Sequence, residues 1–86
     1  MQLRNLISTF LAALLISTAA PLIYRSMRVL EAHRLLLKGN KQLNISQFKG
    51  ALNSYQQALK IYQSIGERRW EANSLGDLGV VYDSLG

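Results

Sequence analysis

The residues that could perform chemistry are few and scattered along the chain. His33 is the single histidine, there is no cysteine, and no close cluster of carboxylates accompanies the histidine. Because a zinc-type site needs about four such ligands, we expect no metal and no cofactor. The serines have no paired base and no nucleophile elbow. The sequence therefore predicts that these 86 residues are not an enzyme.

The segment SLGDLGVVYDSLG, residues 74–86, contains two glycines at a spacing that superficially resembles a phosphate-binding loop. Gly76-x-x-Gly79 is not followed by Lys-Ser/Thr, and the apolar residues around it recur at helical spacing. Each glycine costs a helix about 1 kcal/mol relative to alanine. We expect close packing against a neighbouring helix to offset that cost.

Positive charge lies near the N-terminus and forms no surface suited to nucleic acid. The formal net charge is +5, and the first fifty residues hold seven of the ten Lys and Arg but one of the five Asp and Glu. Arg68, Arg69 and Trp70 come closest to a basic aromatic platform, but Glu67 and Glu71 flank them. We predict no nucleic-acid binding and a solvated turn between helices here, with Trp70 as a candidate anchor for a protein partner.

Residues 1–24 have the layout of a secretory signal peptide, with Arg4 before a long uncharged stretch and Ser17-Thr18-Ala19 resembling a cleavage site. An uncleaved membrane anchor is the alternative, since Leu6 to Ile23 would extend about 27 Å as a helix. A buried helix of a soluble protein is the third. The first two predict an exported (periplasmic or extracellular) or membrane-anchored protein that contacts the membrane or the export machinery.

The rest of the chain predicts helices and no strands. From residue 46 onward, apolar residues recur at steps of three and four. With Ser46 as N-cap and Gly66 as left-handed C-cap, they predict a helix from Gln47 to Ile65. Leucines between residues 30 and 43 predict a preceding helix that runs on from the N-terminal segment, and residues 71–85 predict a following one. The fold class is all-α.

A shift of 40 residues places Leu35 and Gly39 on Leu75 and Gly79. The residues that mark the pattern follow the order Leu35, Gly39, Phe48, Ala51, Tyr55, Ala58, Leu75, Leu78, Gly79 and Tyr82. This order resembles the tetratricopeptide repeat (TPR), in the longer form found in kinesin light chains and in bacterial multi-repeat proteins.

The resemblance covers residues 32–86, with repeat one at 32–71 and the first helix of repeat two at 72–86; residues 25–31 would be a basic linker or a helix extension. The sequence departs from the motif at Lys38, where leucine is expected, at Gln42, where an aromatic residue is expected, and at Trp70, where a small residue is usual. About one and a half repeats are present, so we expect an N-terminal fragment of a longer array.

The resemblance implies antiparallel helices that cross closely at Gly39, Gly79, Ala51 and Ala58. It also implies that the last helix lacks the helix that would cover its apolar residues, which are Leu75, Leu78, Val81 and Tyr82. The concave face of the first helices of the repeats would bind a partner. That face would draw on His33, Leu36, Leu37, Asn40, Asn73, Asp77, Val80 and Ser84.

The function that follows is protein–protein interaction: a TPR scaffold, exported or tethered at a membrane, that binds a protein or peptide partner. The first alternative is the non-catalytic N-terminal part of a larger enzyme, such as a caspase-like CHAT-type peptidase. The second is a small membrane protein that self-associates through its uncovered last helix.

Overall fold

The computed structural model contains three consecutive helices: α1 (Gln2–Asn44), α2 (Phe48–Ile65) and α3 (Arg68–Leu85). It describes the backbone of residues 2–86 and the side chains of residues 19–86. The described backbone has no strand, so the predicted all-α fold class is confirmed. Helix α2 packs against both α1 and α3.

Helix α1 is continuous through Pro21 and through residues 25–31, which are therefore helical. The predicted signal or anchor, residues 1–24, lies mostly among residues whose side chains are outside the described part of the chain. Within the part that was described, no helix combines the length and apolar character needed to cross a bilayer. The nearest described side chains of that segment, Leu22, Ile23 and Tyr24, are exposed.

The turn between α1 and α2 differs from the predicted one. Ser46 is not the N-cap of α2: its φ of 61° is left-handed, and Gln47 holds the N-cap position without a side-chain cap. The N–H of Ser46 donates to the carbonyl of Leu43, and the N–H of Gln47 donates to that of Gln42. These two bonds form a Schellman motif. Ser46 therefore ends α1 instead of starting α2.

The turn between α2 and α3 repeats this geometry. Gly66 has φ 71°, as predicted for a left-handed C-cap, and Glu67 donates to the carbonyl of Tyr62. Gly86 has φ 85° and donates to Asp83. Left-handed residues thus recur every twenty positions, at 46, 66 and 86. The prediction of a solvated turn at residues 68–70 is wrong, because α3 begins at Arg68, three residues earlier than predicted, and these residues form its first turn.

The core lies along α2. Its fully buried residues include Ala51, Tyr55, Ala58 and Tyr62, which confirms that both alanines face neighbouring helices. Helix α1 adds Ala32, Leu35 and Leu36, and α3 adds Leu78 and Val81.

Burial corrects two expectations about the exposed faces. Leu36, placed on the concave face by the sequence, is buried in the core. Leu78 and Val81, expected to be uncovered, are buried because α3 packs against α2. Leu75 and Tyr82 are 52% and 54% exposed, as expected for a face without a covering helix.

The predicted close crossing at glycine exists at one of the two equivalent positions. A Cβ atom on Gly39 would lie 2.6 Å from Cε1 of Tyr55, so the tyrosine ring rests directly on the α1 backbone. A Cβ on Gly79 would meet nothing within 4 Å. The prediction for Gly79 is therefore wrong within this structure, since no helix lies on that side of α3.

Polar contacts fix α1 against the rest of the bundle. Gln42, which stands where the motif has an aromatic residue, accepts a hydrogen bond of 2.6 Å from the hydroxyl of buried Ser54 and lies against Gly50. At the other end of α2, Arg25 donates to the carbonyl of Ile65 at 2.6 Å and pairs with Glu67 at 2.5 Å. Arg25 thus satisfies a carbonyl in the last turn of α2, where intrahelical donors are missing.

Candidate functional site

His33, Tyr62 and Trp70 form a three-helix contact, with one residue from each helix. Nδ1 of half-buried His33 lies 2.5 Å from the hydroxyl of Tyr62, within hydrogen-bond distance. The edge of the His33 ring meets the Trp70 ring with centroids 4.5 Å apart, and Tyr62 and Trp70 stack at 6.1 Å. Trp70 is half-buried, and its indole is one wall of this contact. Its role as an anchor for a protein partner stays a prediction.

Asn40 and Tyr55 form a second contact between α1 and α2, and Asp77 lies on α3 seven residues after Trp70. The hydroxyl of fully buried Tyr55 donates to Oδ1 of Asn40 at 2.5 Å. The carboxylate of half-buried Asp77 is close enough to raise the pKa of Tyr55, after the larger effect of burial. Here too α1 contributes a polar side chain beside an α2 tyrosine.

The two contacts are in register. On α1, the second contact lies seven residues after the first, and on α3 Asp77 lies seven residues after Trp70. On α2, which runs antiparallel to α1 and α3, the second contact lies seven residues before the first. Seven residues are close to two helical turns, so side chains at this spacing share one helix face. We call the surface between α1 and α3 the α1–α3 seam. Its walls are His33, Asn40, Trp70 and Asp77, and Tyr55 and Tyr62 lie buried beneath it.

Burial shapes the electrostatics of the seam. It raises the pKa of Tyr62 to about 12, with a smaller contribution from the charge of Glu67. It also raises the pKa of Asp77. Ionised phenol and carboxylate groups lose solvation when water is excluded, which is the cause of both shifts. Both tyrosines therefore remain neutral hydrogen-bonding groups at neutral pH.

Three of the remaining predicted site residues lie on α3 beyond these contacts. Asn73, Val80 and Ser84 are exposed, and the hydroxyl of Ser84 donates to its own helix at the carbonyl of Val80, 2.9 Å away. On α1, Leu37 is exposed between His33 and Asn40. Of the nine predicted residues, four form the walls of the seam, four lie at its exposed margins, and Leu36 is buried in the core.

Tyr55 and Tyr62 were missed as site residues because their spacing assigns them to the apolar stripe of α2. The sequence did carry a signal, which was tyrosine at two positions of the apolar stripe. A buried tyrosine hydroxyl usually has a hydrogen-bond partner, so each tyrosine indicates a polar side chain beside it. The site that results offers imidazole, amide and carboxylate groups beside aromatic rings. Among the described side chains, no group of three or more His, Cys, Asp or Glu residues is arranged to hold a metal ion.

Comparison of the chain with protein-family models, curated proteins and solved structures finds no match.

Proposed function

We propose that this chain is a protein–protein interaction module of the tetratricopeptide type, and that the α1–α3 seam binds a peptide segment of its partner. The observation that carries the proposal is the His33–Tyr62–Trp70 contact together with the Asn40–Tyr55 hydrogen bond, which lies seven residues away on both α1 and α2. Polar groups held at fixed spacing beside aromatic surface are suited to an extended or helical peptide, because side chains of such a ligand also recur at regular intervals.

The repeat assignment is supported by the turns and helix lengths. Helices α2 and α3 both have 18 residues, and left-handed residues follow α1, α2 and α3 at twenty-residue intervals. A helix pair and its turns therefore occupy 40 residues, the same interval that aligns Leu35 and Gly39 with Leu75 and Gly79.

The two ends of the bundle differ in a way that supports an array growing in one direction. Residues of α3 that are buried against the preceding helices are Ser74, Leu78 and Val81. Forty residues earlier, the equivalent positions of α1 are Arg34, Lys38 and Lys41, all exposed. Terminal helices of repeat proteins carry polar residues on the outward face. This gives a reason for Lys38, which departs from the motif, and supports α1 as a capping helix.

The opposite face of α3 supports a second proposal, self-association or stacking with further repeats. Leu75, Gly79 and Tyr82 are equivalent to the positions of α1 that pack on α2, yet two of them are large, apolar and more than half exposed. Further repeats would make this chain part of a longer array, including the non-catalytic N-terminal part of a larger enzyme. Sedimentation velocity at several concentrations tests self-association, and a monomer at every concentration would contradict it.

Export or membrane contact through residues 1–24 completes the proposal. The exposed side chains of Leu22, Ile23 and Tyr24, which lie outside the core, support it. Replacing Leu14 and Leu15 with Asp should abolish export or membrane association, whereas Leu37→Asp, on an exposed position of α1, should not. Unchanged fractionation of the Leu14/Leu15 variant would count against this part of the proposal.

Peptide binding is tested by selecting ligands from a random peptide library on the full chain. Selected peptides should change the fluorescence of Trp70, which is the single tryptophan and lies in the seam. The variant Asn40→Ala should weaken them, and Asn53→Ala, an exposed asparagine on α2, should not. Selection of no peptide, or of peptides indifferent to Asn40, would overturn the proposal.

A further inference from the structure

We infer that the open face of α3 binds a second copy of this chain, with the two α3 helices antiparallel and Arg68 of each copy paired with Asp83 of the other. This pairing rests on the self-association proposed above and deepens it, because it specifies the partner, its orientation and the contacts. The residues of the open face share one side of the helix, and they are Arg68, Ala72, Leu75, Gly76, Gly79, Tyr82 and Asp83.

Among the described residues, none covers the centre of the open face. Leu75 and Tyr82 are more than half exposed, and a Cβ atom on Gly76 or Gly79 would meet nothing within 4 Å. The side chains that α3 buries against the other helices lie on its opposite side. Because the two glycines have no side chain, the backbone of another helix can approach closely there. A second helix could therefore pack against Leu75 and Tyr82 at short distance.

The exposed charges of α3 have opposite signs at its two ends. They are Arg68 and Arg69 in the first turn and Asp83 in the last turn, and the ion pairs between residues 19 and 86 include none of them. Glu71, also in the first turn, is half-buried and accepts a hydrogen bond of 3.5 Å from Gln63. Cations at the start of a helix and an anion at its end are unfavourable for the dipole of that helix. An antiparallel second copy compensates, because each cationic end then meets an anionic end.

Helix geometry places these opposite charges at equal distances from the centre of the open face. Since each residue turns the helix by about 100°, the face is centred midway between Leu75 and Gly76. When a second α3 is turned end for end about that point, Arg68 of each copy comes opposite Asp83 of the other. The large side chain of Leu75 comes opposite Gly76, where there is room for it. Such reciprocal contacts are those of a two-fold symmetric dimer, whereas a parallel copy would place like charges together at both ends.

The experiment measures dimerisation of the full chain by sedimentation velocity in two single variants, Arg68→Asp and Asp83→Arg. Each variant creates two like-charge contacts in the antiparallel dimer. Each also improves the match between α3 and its own dipole, so neither should unfold the helix, which circular dichroism checks. Arg34→Asp is the matched control, since it makes the same change at an exposed arginine of α1.

Two further samples restore opposite charges at both ends of the antiparallel dimer. One is the double variant, Arg68→Asp with Asp83→Arg, and the other is an equimolar mixture of the two single variants. In a parallel dimer, by contrast, each single variant replaces one like-charge contact with another and changes little.

We expect each single variant to dimerise about tenfold more weakly than the wild type, and the double variant and the mixture to regain the wild-type affinity. Net charge alone predicts otherwise, because Arg68→Asp lowers it by two, from +5 to +3, and so reduces repulsion between copies. A dimer that the single variants leave unchanged, that Arg34→Asp weakens equally, or that the double variant does not restore would overturn the antiparallel pairing and leave self-association standing. A wild-type monomer at every concentration would overturn both, and peptide binding at the seam would still be decided by its own test.

Discussion

The equivalent glycines Gly39 and Gly79 should respond to the same substitution with opposite signs. In Gly39→Ala, the new Cβ would lie 2.6 and 2.7 Å from two ring carbons of Tyr55. The ring is fully buried and tied to Asn40 at 2.5 Å, so it has little freedom to move away. Overpacking of this kind costs about 1–3 kcal/mol. Strain in the Tyr55–Asn40 hydrogen bond adds about 0.5–1.5 kcal/mol.

The improved helix propensity of alanine returns about 1 kcal/mol, so Gly39→Ala should lower the free energy of unfolding by about 0.5–3.5 kcal/mol. Gly79→Ala gains the same propensity and meets nothing within 4 Å, so it should raise the free energy of unfolding by about 0.5–1 kcal/mol. The two variants should therefore differ by roughly 2 kcal/mol although their chemistry is identical.

Urea denaturation followed by circular dichroism measures both values, provided the slopes of the two transitions agree. Gly76→Ala, also in open space, is a second control and should follow Gly79→Ala. If Gly39→Ala stabilises the protein as much as Gly79→Ala does, Tyr55 does not rest on α1. The helix crossing, and with it the seam, would then be placed wrongly.

Two further predictions concern the core and its tyrosines. Ala51→Leu should overpack a fully buried position and lower the free energy of unfolding by about 1–3 kcal/mol. The same change at exposed Ala72 should stay within about 0.5 kcal/mol of wild type in urea denaturation. Equal effects of the two changes would mean that Ala51 faces water. Because the pKa of Tyr62 is raised to about 12 from 10.0, the folded state retains a proton that the unfolded state loses, and stability should fall as pH rises from 10 to 12. Tyr62→Phe should reduce this fall more than Tyr82→Phe does, since Tyr82 is exposed, and an identical pH dependence in both variants would contradict the placement of Tyr62.

The helices and the core face were largely readable from the sequence because they depend on periodicity. The apolar stripe of α2 placed Ala51, Ala58 and the C-cap Gly66 correctly. The first boundary was wrong because a serine before a helical pattern is usually an N-cap, whereas Ser46 adopts the left-handed conformation that closes the preceding helix.

The contacts of the site were less predictable, since they depend on which helix faces which. The sequence placed His33, Asn40 and Asp77 on one face and Trp70 separately in a turn, and it gave no register between α1 and α3. That register is set by the buried tyrosines of α2, whose rings also satisfy the stripe pattern and so look like ordinary core residues.

Burial of α3 was misjudged for the same reason. Leu78 and Val81 were assigned to an uncovered face, because the motif expects a following helix to cover them. Packing against α2 buries them on one side of α3 and leaves Leu75 and Tyr82 on the other. Hydrophobicity identifies the residues that must be buried, but their position around the helix axis decides which neighbouring helix buries them.

A nuclear Overhauser spectrum of the full chain, read at the two seam contacts, measures directly whether α1 and α3 meet over α2. We expect cross-peaks between the ring protons of His33 and Trp70 and between the α protons of Gly39 and the ring of Tyr55. No cross-peak should link Gly79 to an aromatic ring of another helix at monomeric concentrations. Absence of the His33–Trp70 and Gly39–Tyr55 cross-peaks in the folded protein would show that α1 and α3 do not meet across α2, and the seam would not exist.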